Sequence, residues 1–286
     1  MMSSSPISRA RPLLGTLVAV HLEGLPEAEA HQAIEEAFEE IAAIDRLMSF
    51  HRPDSDLTLL NRSPAGEAVA VDPRTVEVFA CALELAGNSK GVFDVTVGAE
   101  LVTSGVLPRP SSQAAPDPAG SWRDIEIVGN DRIRFRRPLW VDLGGIAKGY
   151  AVDRAMARLG REGATQCVVN AGGDIGVFGA RPERVGLKAI TPGRDVLPVV
   201  ELENGSIASS SGRGQAIAPH LHGVRRGIVG RRGFVAVAAE RCMIADALTK
   251  CVLALGNRAE RLLAVYGATA YFHSGRGDWQ VLGGVA

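Results

Sequence analysis

Apolar residues recur at every third or fourth position between Pro26 and Met48, with acidic residues between them. This spacing places the apolar side chains on one face and predicts an amphipathic helix. Similar spacing, bordered by glycine, proline or capping residues, predicts further helices along the chain. They are a short helical turn at 57–60 and helices at about 73–87, 146–160, 241–255 and 259–266.

Shorter apolar runs and alternating stretches predict β-strands. The clearest is a hairpin whose strands, 124–128 and 132–135, flank the turn 129–131. Because several predicted strands adjoin as hairpins, we expect an α+β fold with a mixed, largely antiparallel sheet and packed helices. The other predicted strands are 13–22, a short strand ending before Asp142, 166–170, 185–190, 199–202, 206–208, 234–238, 268–273 and 278–282.

The chain has 286 residues, which is long enough for one large domain. No internal repeat divides it. Residues 107–121 contain four prolines and several small polar residues, which predicts an exposed loop rather than a core element. We therefore predict a single domain over residues 1–286, with this proline-rich loop inside it.

Composition excludes some classes of function. The net charge of −1 and an aromatic content of 5% give no basis for nucleic-acid binding. The four cysteines form no C-x-x-C pair, which argues against a zinc site. The apolar run near the N-terminus is interrupted at Gly15, Thr16 and His21, and no stretch is long enough to span a membrane. We expect a cytoplasmic protein without a signal peptide or lipobox.

Two glycine pairs, each beside an aspartate, carry the first chemical signal. Asp142 and the pair 144–145 open a predicted helix, and Lys148 lies one turn inside it. Free backbone N–H groups and the helix dipole suit an anionic ligand there, such as a phosphate. The second pair, 172–173, precedes Asp174. Neither pair has the Walker A or dinucleotide spacing. The alternative is structural, with Asp142 as a helix cap and Lys148 as a surface lysine.

Asp246 lies in an apolar helical stretch and therefore needs a partner. Thr249 and Lys250 follow at three and four residues, so both reach the same helix face. Asp246 is either a ligand of Mg²⁺, which prefers carboxylate oxygens, or one half of an ion pair with Lys250.

Basic residues of the 220–232 segment carry weaker signals. His220 follows a serine- and glycine-rich turn, and a lone histidine is more often structural than catalytic. The pairs Arg225-Arg226 and Arg231-Arg232 either face an acidic partner or belong to a solvated loop, and we favour the solvated loop.

Seven motifs occur in an order that resembles the FAD:protein FMN transferases of the ApbE family. The resemblance extends from about residue 12 to residue 275. The motifs are LLGT at 13–16, MSFHRPDSDLTLLN at 48–61, GVFDVTVGAEL at 91–101, VDLGGIAKGYAVD at 141–153, VVNAGGDIGVFG at 168–179, SIASSSG at 206–212 with a following histidine, and MIADALTKCVLALG at 243–256.

The resemblance implies a T-fold-like architecture and an enzyme that cleaves the pyrophosphate of FAD. It would transfer FMN to a threonine or serine hydroxyl of an acceptor protein and release AMP, with Mg²⁺ at the pyrophosphate. His220, Lys148 and Asp246 would carry the chemistry. Gly145, Asp246 and Thr249 would hold Mg²⁺. The implied FAD contacts are Leu14, His51, Val92, Phe93, Asp94, Asp142, Lys148 and Leu221.

The chain departs from the family pattern at three places. Lys250 stands where the family has a metal-binding threonine or serine, and Thr249 comes one place early, which puts Mg²⁺ in doubt. His51 replaces the usual tyrosine, and residues 220–227 lack the usual Asp-Pro pair. Two alternatives therefore stay open. The first alternative is an FAD pyrophosphatase that gives FMN and AMP. The second is an FAD-binding protein without catalytic activity.

Overall fold

The structure, a computed structural model, describes residues 6–111, 114–187, 198–211, 220–229, 233–274 and 279–284. Seven α-helices occur in these ranges, together with 3₁₀ turns at Trp122–Asp124 and Gly256–Ala259. The predicted helices are confirmed to within a few residues. The helices are α1 (Glu27–Met48), α2 (Asp56–Arg62), α3 (Pro73–Asn88), α4 (Gly98–Thr103), α5 (Ala147–Arg161), α6 (Cys242–Leu255) and α7 (Glu260–Val265).

Fifteen strands occur in the same ranges, and every described pair of strands is antiparallel. The strands are β1 (Ile7–Leu13), β2 (Thr16–Glu23), β3 (Ala68–Ala70), β4 (Ile125–Val128), β5 (Arg132–Phe135), β6 (Gln166–Ala171), β7 (Asp174–Gly179), β8 (Glu183–Gly186), β9 (Val199–Leu202), β10 (Gly205–Ser211), β11 (His220–Leu221), β12 (Ile228–Val229), β13 (Phe234–Ala239), β14 (Thr269–His273) and β15 (Gln280–Gly283).

The main sheet has eight strands in the order β1-β2-β6-β7-β10-β13-β14-β15. Smaller sheets are formed by β3-β5-β4, β8-β9 and β11-β12. The predicted α+β class with a largely antiparallel sheet is confirmed. The last three residues of the predicted strand 185–190, the first residue of strand 278–282, residues 112 and 113 of the proline-rich loop, and Arg231-Arg232 lie outside the described residues.

Helices cover one face of the main sheet. The inward side chains of β2 and β6, such as Val20 and Val169, are fully buried in one cluster with Ile41 of α1, Ala151 of α5 and Leu248 of α6. A second, smaller cluster lies on β7, β10 and β13 and includes residues of the β8-β9 hairpin. The main cluster positions α5 and α6 side by side over the centre of the sheet. The organisation of the whole chain as one domain stays a prediction.

The predicted first strand, 13–22, is in fact the second arm of a hairpin, and that prediction missed β1. Strand β1 pairs with β2 over its whole length, and Leu14 and Gly15 form the turn with φ angles of +54° and +69°. Its sequence, ISRARPL, has no fully buried position, because it is an edge strand held by backbone hydrogen bonds. Such a strand lacks the hydrophobic alternation that reveals one in a sequence.

The short strand predicted before Asp142 is also absent from the described structure, although Leu139, Trp140 and Val141 are buried. The side chain of Asn61 replaces a neighbouring strand. Its Nδ2 donates to the carbonyl of Val141 at 2.9 Å, and its Oδ1 accepts from the N–H of Val141 at 2.7 Å. Asn61 thus satisfies both backbone groups of a buried residue and fixes the segment that leads into Asp142.

Candidate active site

Two lysines and two aspartates from three elements form a buried cluster, which we call the charge cluster (Lys148, Asp174, Asp246 and Lys250). Lys148, in the first turn of α5, donates from Nζ to Oδ2 of Asp174, the first residue of β7, at 2.6 Å. Lys250 pairs with Oδ1 of Asp246 one turn away on α6. Of the two interpretations of Asp246, the structure thus shows the ion pair.

The cluster forms because α5 approaches the start of α6 very closely at Gly149. A Cβ atom on Gly149 would lie 2.3 Å from the carbonyl oxygen of Cys242. The N–H of Gly149 donates to Oδ2 of Asp246 at 3.3 Å. Asp153, one turn further along α5, accepts from the N–H groups of Cys242 and Met243 at 2.7 and 3.0 Å. Asp153 therefore caps the N-terminus of α6 from a neighbouring helix.

Burial and the neighbouring charges determine the protonation of the cluster. Burial raises the pKa of Asp174 to about 6, and the nearby Asp246 carboxylate adds to this shift. Burial also acts to raise the pKa of Asp246, but Lys250 and Lys148 bring it below its ordinary value. For Lys148, burial alone lowers the pKa, and the carboxylates of Asp246 and Asp174 raise it above its usual range. Lys148 and Asp246 are therefore charged at neutral pH.

Exposure differs between the two ion pairs. The side chain of Lys148 is 33% exposed while that of Asp174 is 1% exposed, so Lys148 reaches from the core to the surface. The side chain of Lys250 is 14% exposed and that of Asp246 is fully buried. The cluster consequently presents an ammonium group to solvent and keeps its carboxylates inside. This is the polarity that an anionic ligand requires.

His220, on β11, lies close enough to the charge cluster for its charges to act on the imidazole. Burial lowers the pKa of His220 to about 4, and Lys250 contributes in the same direction. Its Nε2 is buried and has no hydrogen-bond partner among the described residues. The imidazole is therefore neutral at pH 7 and has a nitrogen available to accept a proton. Leu221 follows it on the same half-buried strand.

The turn at Asp142 lies beside Lys250, as the lysine stem shows. Cε of Lys250 and a ring carbon of Phe93 lie 3.5 and 3.7 Å from the position that a Cβ on Gly145 would occupy. Oδ2 of Asp142 accepts from the N–H of Gly144 at 3.1 Å. Burial raises the pKa of Asp142 to about 6, and the charges of His51 and Lys250 oppose this shift. The structure thus brings Gly145, Phe93 and Lys250 together beside Asp142.

The side chain of Asp94, one of the predicted FAD contacts, is bonded to other residues of the protein. Its Oδ1 accepts from the N–H and hydroxyl of Thr96 at 2.9 and 2.8 Å, and its Oδ2 pairs with Arg226. Arg226 also donates to the carbonyl of Gly120 at 3.0 Å. The interpretation of Arg226 as part of a solvated loop was therefore wrong, because the half-buried guanidinium connects the β11-β12 hairpin to residues 94–120.

Backbone contacts position the remaining predicted residues. The carbonyl of Val92 accepts from the N–H of Gly223 at 2.9 Å, which holds the segment with Phe93 against the β11-β12 hairpin. Leu14 lies at the tip of the β1-β2 hairpin. Thr16, two residues after Leu14, contacts Gly172. A Cβ on Gly172 would lie 2.5 Å from the hydroxyl oxygen of Thr16. The hairpin tip therefore lies at the glycine turn that precedes Asp174.

Two of the three predicted metal ligands, Asp246 and Thr249, already have hydrogen-bond partners within the protein. Both oxygens of Asp246 have donors, namely Lys250 and the N–H of Gly149. The hydroxyl of Thr249 donates to the carbonyl of Asp246 at 2.6 Å and lies 2.7 Å from Oγ of Ser210. Within the described ranges no group of three or more His, Cys, Asp or Glu side chains is arranged to hold a metal. Mg²⁺ at Gly145, Asp246 and Thr249 stays a prediction.

Two residues of the site were not predicted in their observed roles. Asp174 was noticed beside its glycine pair but was not identified as the partner of Lys148, because the pairing depends on where the β6-β7 hairpin lies against α5. Ser210 binds Thr249 across β10 and α6. Its only sequence signal is the serine-rich run that contains it.

In the described part of the chain, no helix is both long and apolar enough to cross a membrane.

Comparisons with known proteins identify related chains. The model of the ApbE family matches residues 14–272. An FAD:protein FMN transferase from Vibrio cholerae is 31% identical over 252 residues, which cover 78% of this chain and 74% of that protein. Another, from Rhodobacter capsulatus, is 31% identical over 195 residues, 64% of this chain and 37% of that protein. The chain thus spans little more than a third of the second relative.

Solved structures show the same fold. Flavin transferase ApbE from Vibrio cholerae superimposes with a TM-score of 0.85 over 98% of this chain and 97% of that one, at 22% identity. The apo form of the flavinyl transferase ApbE from Pseudomonas stutzeri gives a TM-score of 0.84 over 100% and 99%, also at 22% identity. The predicted ApbE architecture is confirmed.

Two glycines of α5 allow a matched test of the helix contact. We expect Gly149→Ala to lower the free energy of unfolding by about 1–3 kcal/mol, because the new methyl group forces the helices apart. Gly160→Ala, with its nearest atom at 3.9 Å, should leave stability unchanged or raise it by up to about 1 kcal/mol. Urea unfolding measures both. Equal effects of the two substitutions would contradict the close approach at Gly149.

Proposed function

Because the chain belongs to the ApbE family, we propose that it transfers the FMN half of FAD to a serine or threonine hydroxyl of an acceptor protein and releases AMP. The observation that carries the proposal is the convergence of two lysine ammonium groups and an unpartnered imidazole nitrogen beside the N-terminal end of α5. Cations suit a pyrophosphate, and a neutral imidazole suits a hydroxyl that must lose a proton.

The pyrophosphate of FAD binds at the first turn of α5 in this proposal. The partly exposed ammonium of Lys148 supplies a full positive charge there, and the positive end of the α5 dipole adds to it. Gly144 and Gly145 allow the backbone to approach the phosphates closely. The remaining FAD contacts are assigned to Leu14, His51, Val92, Phe93, Asp142 and Leu221, with Asp94 acting through its backbone because its carboxylate is already bonded.

The reaction is a phosphoryl-type substitution. The acceptor oxygen forms a bond to the riboflavin-side phosphorus of FAD, and the bond from that phosphorus to the bridging oxygen breaks. The electron pair of the broken bond leaves with AMP, and the hydroxyl proton passes to Nε2 of His220. Lys148 neutralises negative charge on the phosphate oxygens, which is the main requirement of such transfers. Asp246 holds Lys250 and the start of α5 in place.

No step is assigned to Mg²⁺, because the Asp246 carboxylate already pairs with Lys250. When a divalent ion is bound at a pyrophosphate, it supplies the same charge neutralisation that an ammonium group supplies. The requirement for Mg²⁺ therefore depends on whether Lys250 supplies this charge.

The proposal is tested by incubating the chain with FAD and a pooled library of peptides, each with one serine or threonine. We expect AMP release in equal amount to peptides whose mass increases by one FMN moiety, less water. Lys148→Met should lower kcat/KM at least 100-fold, because such preorganised charges contribute about 3–4 kcal/mol to transition states. Arg161→Met, at the exposed opposite end of α5, is the matched control and should keep the wild-type rate.

Each other outcome of this incubation has a distinct meaning. AMP with free FMN and no labelled peptide would identify a pyrophosphatase, in which water replaces the hydroxyl. FAD binding without AMP release would identify a binding protein. If FAD neither binds nor turns over, the proposed function is wrong.

The neutral state of His220 is a separate prediction. Because burial lowers the pKa of His220 to about 4, the free enzyme should keep this ring neutral as pH falls from 8 to 5.5. NMR titration of the histidine ring resonances measures it, with His220→Gln to assign the signal. The same substitution should lower the rate of AMP release about 100-fold or more, as loss of a general base does. A titration midpoint near 6.5 would refute the buried, neutral imidazole.

A further inference from the structure

Lys250 occupies the space between the residues predicted to bind a metal. Its Nζ donates to Oδ1 and, at 3.1 Å, to the backbone carbonyl of Asp246. Cε of its stem lies 3.5 Å from the position that a Cβ on Gly145 would occupy, which is ordinary van der Waals distance. The neighbouring residue on α6, Thr249, is fully buried and faces Ser210. The ammonium group thus occupies the Asp246 end of the predicted metal site, and the lysine stem lies beside Gly145.

We propose that the ammonium of Lys250 is a built-in cation that takes the place of a divalent metal at the pyrophosphate site. This inference rests on the proposed function, since it assigns the cation of that same reaction. Lys250 and Lys148 then neutralise the pyrophosphate together, and neither needs to be recruited from solution. The site would work at any free Mg²⁺ concentration.

The hydrogen bonds around Asp246 give the first reason why a metal is excluded. Mg²⁺ requires near-octahedral oxygen ligands at about 2.0–2.1 Å. Each oxygen of the Asp246 side chain accepts a donor from the protein, and its backbone carbonyl accepts from both Thr249 and Lys250. A metal would have to break several of these hydrogen bonds at once.

Charge gives the second reason. The Lys250 side chain is only 14% exposed, so its ammonium cannot move into water without a change of rotamer and the loss of its ion pair with Asp246. A divalent ion bound beside it would face a positive charge at short range in a poorly solvated environment, where like charges repel strongly. The pair Asp246–Lys250 therefore competes directly with metal binding.

Lys250→Thr tests the inference, because it removes the ammonium and supplies a hydroxyl four residues after Asp246. Lys250→Met is the matched control, since it removes the charge without supplying a ligand. The first readout is binding of Mn²⁺, used as a spectroscopic probe for Mg²⁺, measured by electron paramagnetic resonance in the presence of FAD. The second readout is AMP release in EDTA and in a Mg²⁺ titration. Thermal unfolding confirms that each variant is folded.

We expect the wild-type chain to bind no Mn²⁺ stoichiometrically at the concentration used and to release AMP in EDTA at the rate seen with Mg²⁺. Lys250→Thr should bind one Mn²⁺ and lose at least 10-fold of its rate in EDTA, with recovery on adding Mg²⁺. Lys250→Met should be slow in both conditions and bind Mn²⁺ more weakly than Lys250→Thr.

Two results would overturn the inference. One is stoichiometric Mn²⁺ binding by the wild-type chain, with AMP release that EDTA abolishes. The other is a folded Lys250→Thr variant that gains no Mn²⁺ site. If the wild-type chain releases no AMP in any condition, the proposed function fails, and the Mn²⁺ comparison still decides whether Lys250 excludes a metal.

Discussion

The close approach of α5 to the first turn of α6 is the contact on which the site depends. Gly149 permits it, since any side chain there would meet the backbone of Cys242. Asp153 holds it by capping the N-terminus of α6 from α5. The result places Lys148 and Asp246, on different helices, close enough for their charges to interact. The arrangement of the candidate site thus follows from a packing constraint on two helices.

That packing also explains how the core tolerates four charged side chains. Buried charges persist only when they are paired and hydrogen-bonded. Each carboxylate of the charge cluster has an ammonium partner, and the two lysines remain the more exposed members. Oδ1 of Asp174 is an exception, because it has no hydrogen-bond partner among the described residues. Removal of either lysine would leave a buried carboxylate without its counter-ion, so the lysines stabilise the fold.

The sequence predicted features that depend on near neighbours along the chain. Helix α1 begins one residue after the start predicted from its apolar spacing and ends at the predicted residue. The Asp246–Lys250 ion pair follows from a separation of four residues on one helix. Features that depend on distant residues were missed. The hydrogen bonds between the Asn61 side chain and the backbone of Val141 join residues that are 80 positions apart in the chain. The Lys148–Asp174 ion pair depends on where the β6-β7 hairpin lies. Edge strand β1 carries no apolar alternation to reveal it.

A crystal structure of the chain with FAD is the most direct test of the central claim, that the charge cluster binds the pyrophosphate. The account predicts phosphate oxygens within about 3.2 Å of Nζ of Lys148, which is ordinary hydrogen-bond distance. It also predicts that the riboflavin-side phosphorus faces Nε2 of His220. A pyrophosphate bound elsewhere on the chain, with the Lys148–Asp174 pair undisturbed and out of reach, would contradict it.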